Sequence, residues 1–409
     1  MAAVLLAIAA LTLTPRPGTE SISGLCLVCG ARGAADAALN LLLFAPLGWL
    51  AGAARSRRFP RGGAGAPLAW AVAVGALVSL AVEMVQMPIP GRDASLGDLV
   101  FNTLGAGVGA GAWILLGRPH EPSRALSRVV AASLAGAAAV FVGAWLLGPS
   151  VPDTEWWGQW TPDLGHLAEY RGSVLAAGIG ALPVAAGRIA EPQPVRAALR
   201  RAEPVRILLE TGPPPDGVAP IFSIYDAEQR EILLVGADGR DGILRFRTRG
   251  SARRFEEVPI RFPDAFEGVS PGDTVRVTLV AEAAPRSWGD GACLTVGGRP
   301  AACSRWSPAA AWNLLLPFGG AAGRALELLW LALLFAPAGV LAARAGVSAP
   351  FVAGALAVAA VALVPAVTPV GRAHPAEAVV VAAAASLPWL LARARGRALR
   401  VSRDPRAGA

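Results

Sequence analysis

Lysine is missing from this 409-residue chain, and all 37 of its basic residues are arginine. With alanine and glycine so abundant, that absence reads as a mutational bias of the coding sequence and locates no site. Charge is scarce as well: 16% of residues are charged against 54% that are hydrophobic. Apolar runs long enough to cross a bilayer exclude a soluble globular protein, so the chain reads as a multi-pass protein of the cell membrane. The net charge of +8 invites a nucleic-acid partner, but the arginines fall in short loops and a tail beside apolar runs. The positive-inside rule accounts for them there, and no nucleic acid is expected. Three histidines (His120, His166, His374) and four cysteines are too few and too scattered for a metal-ligand set, so neither a metal nor another cofactor is expected.

Eight spans can be read, at about residues 2–15, 36–54, 67–86, 98–117, 129–147, 325–343, 350–368 and 376–392. Arginines cluster after the second span (Arg55, Arg57, Arg58, Arg61), after the fourth (Arg118, Arg124, Arg128) and in the C-terminal tail, which places all three in the cytoplasm. The long segment between the fifth and sixth spans then lies outside. The expected class is a polytopic α-helical membrane protein with an inserted extracytoplasmic all-β sandwich. Its parts are a five-span region over 1–147, the insert over 148–315, a three-span region over 316–395 and a basic cytoplasmic tail over 396–409. A cleaved signal peptide is the alternative for the first stretch, although a basic start and a clear cleavage site are missing. "SVLAAGIGALPVAAG", 173–187, is apolar but short and broken by Gly and Pro, which favours strands over a ninth span.

Within the insert, "VRILLE", "IFSIY", "GILRFRTR", "VPIRF" and "TVRVTLV" alternate apolar with polar residues as half-buried strands do. Leu244, Phe246 and Thr248 share one face of their strand, and Arg245, Arg247 and Arg249 the other. In "CLTVGGRPAAC" a hairpin turning at Gly297 and Gly298 would set Cys293 opposite Cys303, and outside the cytoplasm a disulfide is expected there. Cys26 and Cys29 would be a local disulfide or two free thiols. Trp156, Trp157 and Trp160, just beyond a span, read as interface anchors, with stacking on sugars as the alternative.

"LLFAPLGWLAGAAR", 42–55, recurs as "LLFAPAGVLAARAG", 333–346, so Phe44, Pro46 and Gly48 match Phe335, Pro337 and Gly339. "PIPGR" ending at Arg92 is echoed by "TPVGR" ending at Arg372, and Asp98 by Glu377. The last three spans read as a worn copy of spans two to four.

The stretch "EMVQMPIPGRDASLGDLVFNTLG", 83–105, sets polar residues between apolar runs. Glu83 and Gln86 share a helix face at the outer end of the third span, and Asp98, Asn102, Gly105 and Gly109 share one on the fourth. Asp36 and Asn40 open the second span, and Arg92 lies in the loop between the third and fourth. Acids inside a membrane are expensive and point to a functional site, whereas Gly105 and Gly109 read as packing residues and Asp36 is open to a capping role. The candidate binding residues are therefore Glu83, Gln86, Arg92, Asp98, Asn102, Asp36 and Asn40.

The order and spacing of Glu83, Gln86, Arg92, Asp98, Asn102 and Gly105 resembles the signature of the VanZ-like family of bacterial membrane proteins. Asp36, Asn40, Phe44, Pro46 and Gly48 resemble that family's earlier helix, so the likeness covers about the first 120 residues. It implies an association with glycopeptide resistance of the teicoplanin kind. "PIFSIYDAEQREILLVG" and "GDTVRVTLV" resemble a laminin-G or concanavalin A-like jelly roll, which implies a fold used for carbohydrate or protein ligands. The expected function is an outer-leaflet site for an envelope lipid head group or a lipid-linked glycan or glycopeptide, with membrane lipids and a cell-wall precursor as partners. An arginine suits a phosphate, and carboxylates and amides suit hydroxyls or amines. Two alternatives stay open. One is a head-group hydrolase or transferase using Glu83 or Asp98 as base, although no nucleophile accompanies them. The other is a transporter, although the charges cluster at one edge and not at the midplane.

Overall fold

The structure, a computed structural model, describes residues 1–15, 27–28, 32–59, 63, 65–89, 95–117, 125–282, 288, 290–345 and 348–401. Arg92, Cys26 and Cys29 lie outside them. Eight of its helices are α1 (Ala2–Thr12), α2 (Gly33–Arg58), α3 (Gly65–Gln86), α4 (Leu96–Leu116), α5 (Ala125–Leu146), α7 (Gly320–Ala342), α8 (Ala349–Val367) and α9 (Pro375–Val401), with α6 (Pro192–Arg200) in the insert. Seven of them, α2 to α5 and α7 to α9, are long and apolar enough to cross a membrane.

The first expected span is the exception. Pro15 follows Thr14, and a residue before proline is pushed out of the helical region. What remains is an 11-residue helix, about 16 Å of rise against a hydrocarbon core of about 30 Å. α1 lies against α2 and α3, with Ile8 buried beside Phe44, Leu47 and Val82.

The membrane-length helices form two groups. α2, α3 and α4 pack together, and α5 packs with α7 and α8, which share α9. The closest approach is α2 on α4. A Cβ on Gly109 would lie 1.8 Å from the Ala45 carbonyl oxygen, one on Gly48 1.9 Å from that of Ala106, and one on Gly105 2.4 Å from that of Leu41. Only glycine lets the two backbones come so near, the small-residue packing that drives helix association in lipid. The second group repeats the contact at the matching residue: a Cβ on Gly339 would lie 2.3 Å from the Ala384 oxygen, so α7 meets α9 as α2 meets α4.

The insert is two antiparallel sheets. The first sheet runs β4 (Gly187–Arg188), β1 (Trp156–Trp160), β6 (Val218–Asp226), β7 (Glu231–Asp238), β8 (Asp241–Phe246), β9 (Ile260–Phe262). The second runs β12 (Ala302–Ser304), β11 (Ala292–Val296), β10 (Thr274–Ala281), β5 (Val205–Glu210), β2 (Ser173–Ile179), β3 (Leu182–Pro183). The segment 173–187 is thus strand and not a span. Leu244, Phe246 and Thr248 are buried, as their alternation requires. Cys293 faces Cys303 across the β11–β12 hairpin and is bonded to it, with Gly297 (φ 62°) and Gly298 (φ 76°) supplying the left-handed turn.

Trp156 departs from both readings. Trp156 is fully buried in the sandwich, with the Arg196 guanidinium 5.3 Å from its ring, and the Trp160 Nε1 donates to the Val184 oxygen at 3.2 Å. β1 pairs on both sides, with β4 and β6, and Trp156 and Trp160 share one of its faces, opposite Trp157.

The sandwich is fastened to one end of the helices. The Arg254 carbonyl, in a left-handed turn (φ 67°), accepts from Ala34 N (3.1 Å) and Ala35 N (3.4 Å), meeting donors that the start of α2 leaves unpaired. Arg32 pairs with Glu256, Gly250 N donates to the Leu146 oxygen at the end of α5, and Gly371 N to that of Trp306 ahead of α9. Arg55, Arg57, Arg58, Arg128, Arg344 and Arg393 lie toward the opposite helix ends.

Candidate functional site

The polar residues of the first helical group meet in a layer at its sandwich end. α4 begins at Ser95, whose hydroxyl accepts from Gly97 N (3.1 Å) and Asp98 N (3.4 Å) in the capping pattern Ser-x-x-acid. The cap residue's own N–H donates to Glu83 Oε2 at 2.8 Å, so α3 holds the start of α4 through a carboxylate. Asn40 of α2 donates through Nδ2 to Asp98 Oδ1 at 2.6 Å. One turn deeper, Asn102 Nδ2 donates to Ser79 Oγ at 3.0 Å. Gln86 reaches the other way: its Nε2 donates to the Thr12 carbonyl at 2.9 Å, satisfying an acceptor at the end of α1.

Five of the seven residues singled out in the sequence, Glu83, Gln86, Asp98, Asn102 and Asn40, therefore lie in one layer. Asp36 is exposed in the first turn of α2, where an acid favours the positive end of the helix. Sequence reasoning missed Ser79, although it precedes Glu83 by four residues and Gln86 by seven and so shares their face. It also missed Ser95, whose Ser-x-x-Asp spacing was a readable cap. The Thr12 carbonyl had no side-chain signal.

The layer is largely buried. Glu83 is 6% exposed, Gln86 5% and Asn102 2%. Gln86 Oε1 and Asn102 Oδ1 are buried with no hydrogen-bond partner among the described residues. An unpaired buried acceptor costs about 1–3 kcal/mol. Two of them stand beside the acids Glu83 and Asp98, so the layer is rich in acceptors, which an amine or hydroxyls would match.

The second helical group carries a different polar cluster. Arg324 bridges Glu327 Oε2 (2.8 Å) and Glu377 Oε1 (2.9 Å), and Asn313 Nδ2 donates to Glu327 Oε1 at 2.7 Å. Glu327 stands where the repeat places Asp36, and Glu377, fully buried, where it places Asp98. Arg372, the sequence's echo of Arg92, is exposed, and the bridging guanidinium comes instead from α7. The Arg324 and Glu327 spacing of three residues was the available signal.

Beside the start of α2 the sandwich and the helices enclose a cleft of about 1040 Å³, lined in part by Arg32, Tyr225, Glu231, Arg245, Arg247 and Arg254. Arg245 pairs with Glu231 (3.3 Å) and with Glu257, and Arg247 with Asp226 (2.5 Å). Burial pushes the Glu231 carboxyl above the ordinary carboxylate range against the pull of Arg245, and it pushes the Tyr225 phenol up as well.

No curated protein and no solved structure matches the chain. The VanZ/LLP1 family model does match, over residues 4–117, the segment that carries α1 to α4 and with them the whole polar layer.

Proposed function

We propose that the layer formed by Glu83, Gln86, Asp98, Asn102 and Asn40 binds the head group of an envelope lipid, or of a lipid-linked glycan or glycopeptide, in the outer leaflet. The observation that carries the reading is the pair of buried oxygens, Gln86 Oε1 and Asn102 Oδ1, which have no hydrogen-bond partner among the described residues, in a layer that already holds Glu83. Acceptors of that kind are matched by an ammonium or by sugar hydroxyls. Arg92, in the adjoining loop, would take the phosphate that such lipids carry. In this reading the sandwich is extracytoplasmic and the C-terminus cytoplasmic, following the arginines in the short loops. A laminin-G or concanavalin A-like sandwich above the layer would engage the glycan part of the same ligand through the charged cleft. The VanZ domain is associated with glycopeptide resistance, and capture of a lipoglycopeptide or its lipid-linked target by this layer is the contribution we assign to the chain.

The test is a binding screen of the purified full chain in nanodiscs against amine-bearing and sugar-bearing lipids. Arg92→Ala and Asp98→Asn should each weaken binding by about tenfold or more, the cost of one charge-assisted contact. Binding indifferent to both substitutions refutes the site. Release of a head group that depends on Glu83 would show an enzyme instead, and flux across sealed vesicles a transporter.

A further inference from the structure

At the end of the helices away from the sandwich, α4, α5 and α7 leave a groove of about 460 Å³ between the two helical groups. Its walls are apolar, among them Leu115 and Leu116 of α4, Ala135 of α5, and Leu334 and Leu341 of α7, and Arg128 also lines it. It closes toward the membrane centre where Gly136 packs on α7, a Cβ there falling 2.9 Å from the Leu334 oxygen. From Arg128 to Gly136 the helix rises about 12 Å, close to the roughly 15 Å of one hydrocarbon leaflet.

Arg128 is the charged residue of that lining. Its Nη1 is buried and has no hydrogen-bond partner among the described residues. An arginine near a span end ordinarily snorkels to water, but this nitrogen has no access to it. The neighbouring Arg344 is already engaged, donating to the Leu116 carbonyl at the end of α4. A buried guanidinium nitrogen beside a one-leaflet apolar groove would be matched by an anion that arrives with a hydrocarbon chain attached.

We propose that this groove is a binding site for one anionic glycerophospholipid of the leaflet opposite the sandwich, its phosphate on Arg128 and an acyl chain between α4, α5 and α7. A lipid there would fill the gap between the two helical groups and couple their packing to membrane composition.

The full chain, purified in mild detergent, is offered equal amounts of phosphatidylglycerol and phosphatidylcholine with identical acyl chains, and retained lipid is read by native mass spectrometry. Wild type should keep one phosphatidylglycerol with a preference of about tenfold. Arg128→Gln should bring the two lipids near parity. Ala135→Phe, at an exposed position on the groove wall, should displace lipid of either head group while the melting temperature stays close to wild type. Equal retention by wild type overturns the proposal, as does a preference that survives Arg128→Gln or retained lipid undiminished by Ala135→Phe. Should Arg128→Gln fail to fold, the Ala135→Phe result decides alone.

Discussion

Gly109 and Gly111 lie two residues apart on α4, and the same substitution at each should have opposite consequences. A Cβ on Gly109 would stand 1.8 Å from the Ala45 oxygen, whereas nothing lies within 4 Å of one on Gly111. To restore an ordinary contact of 3.4 Å, α2 and α4 must part by about 1.6 Å. Were they to part as rigid rods, the 2.6 Å bond between Asn40 and Asp98 would stretch past hydrogen-bonding range. Overpacking of this kind costs about 1–3 kcal/mol, enough to outweigh the roughly 1 kcal/mol by which alanine outranks glycine in a helix. Gly109→Ala should therefore lose stability in a detergent unfolding titration, and Gly111→Ala should match or exceed wild type. The Gly109→Ala protein should also bind head groups more weakly, because the polar layer hangs on the same helix pair. Equal stability of the two variants would refute the claim that glycine contacts set the distance between α2 and α4.

Removing Arg324 leaves the buried Glu377 carboxylate uncompensated, so Arg324→Ala should cost about 3–5 kcal/mol in the same titration, and adding Glu377→Gln should recover much of it. The Cys293–Cys303 bond closes a loop across a separation of 10 residues, and Cys303→Ser should lower the stability of the sandwich by about 2–3 kcal/mol, seen as a urea midpoint that no longer responds to reductant. Glu231 has its carboxyl pKa raised in the fold, so the folded state holds the proton more tightly than the unfolded one. Its contribution to stability is fully present below the ordinary carboxylate value of about 4.3 and is lost as pH rises through the raised value. Urea midpoints measured over that window should fall in wild type and flatten in Glu231→Gln, and a wild-type midpoint that rises would contradict the assignment.

What could be read in the residue order followed from how local its cause was. The Cys293 to Cys303 hairpin, the alternation around Phe246 and the packing role of Gly105 and Gly109 each depend on a turn, a period or a spacing within one element, and each appears in the structure. The five residues of the polar layer were legible because carboxylates and amides stand out against alanine and leucine. Their partners were not, since a serine such as Ser79 or a carbonyl such as that of Thr12 carries no signal until the helices are placed. α1 misled because hydropathy counts Leu13 and Thr14 while Pro15 has already ended the helix. Trp156 misled because its nearness to a span in sequence hid its pairing with β6, more than 60 residues on. The groove at Arg128 is formed by helices separated by the whole insert, and no periodicity reports such a gap.

The central claim, an outward polar layer that receives a head group, is tested most directly by photo-crosslinking. A phosphatidylethanolamine with a photoreactive group beside its amine is reconstituted with the full chain, irradiated, and the adducts mapped by peptide mass spectrometry. The account predicts adducts in the peptides that span residues 79–102 and their loss in the presence of excess unlabelled amine-bearing lipid. Adducts spread evenly over the lipid-facing helices, or concentrated on α7 to α9, would contradict it.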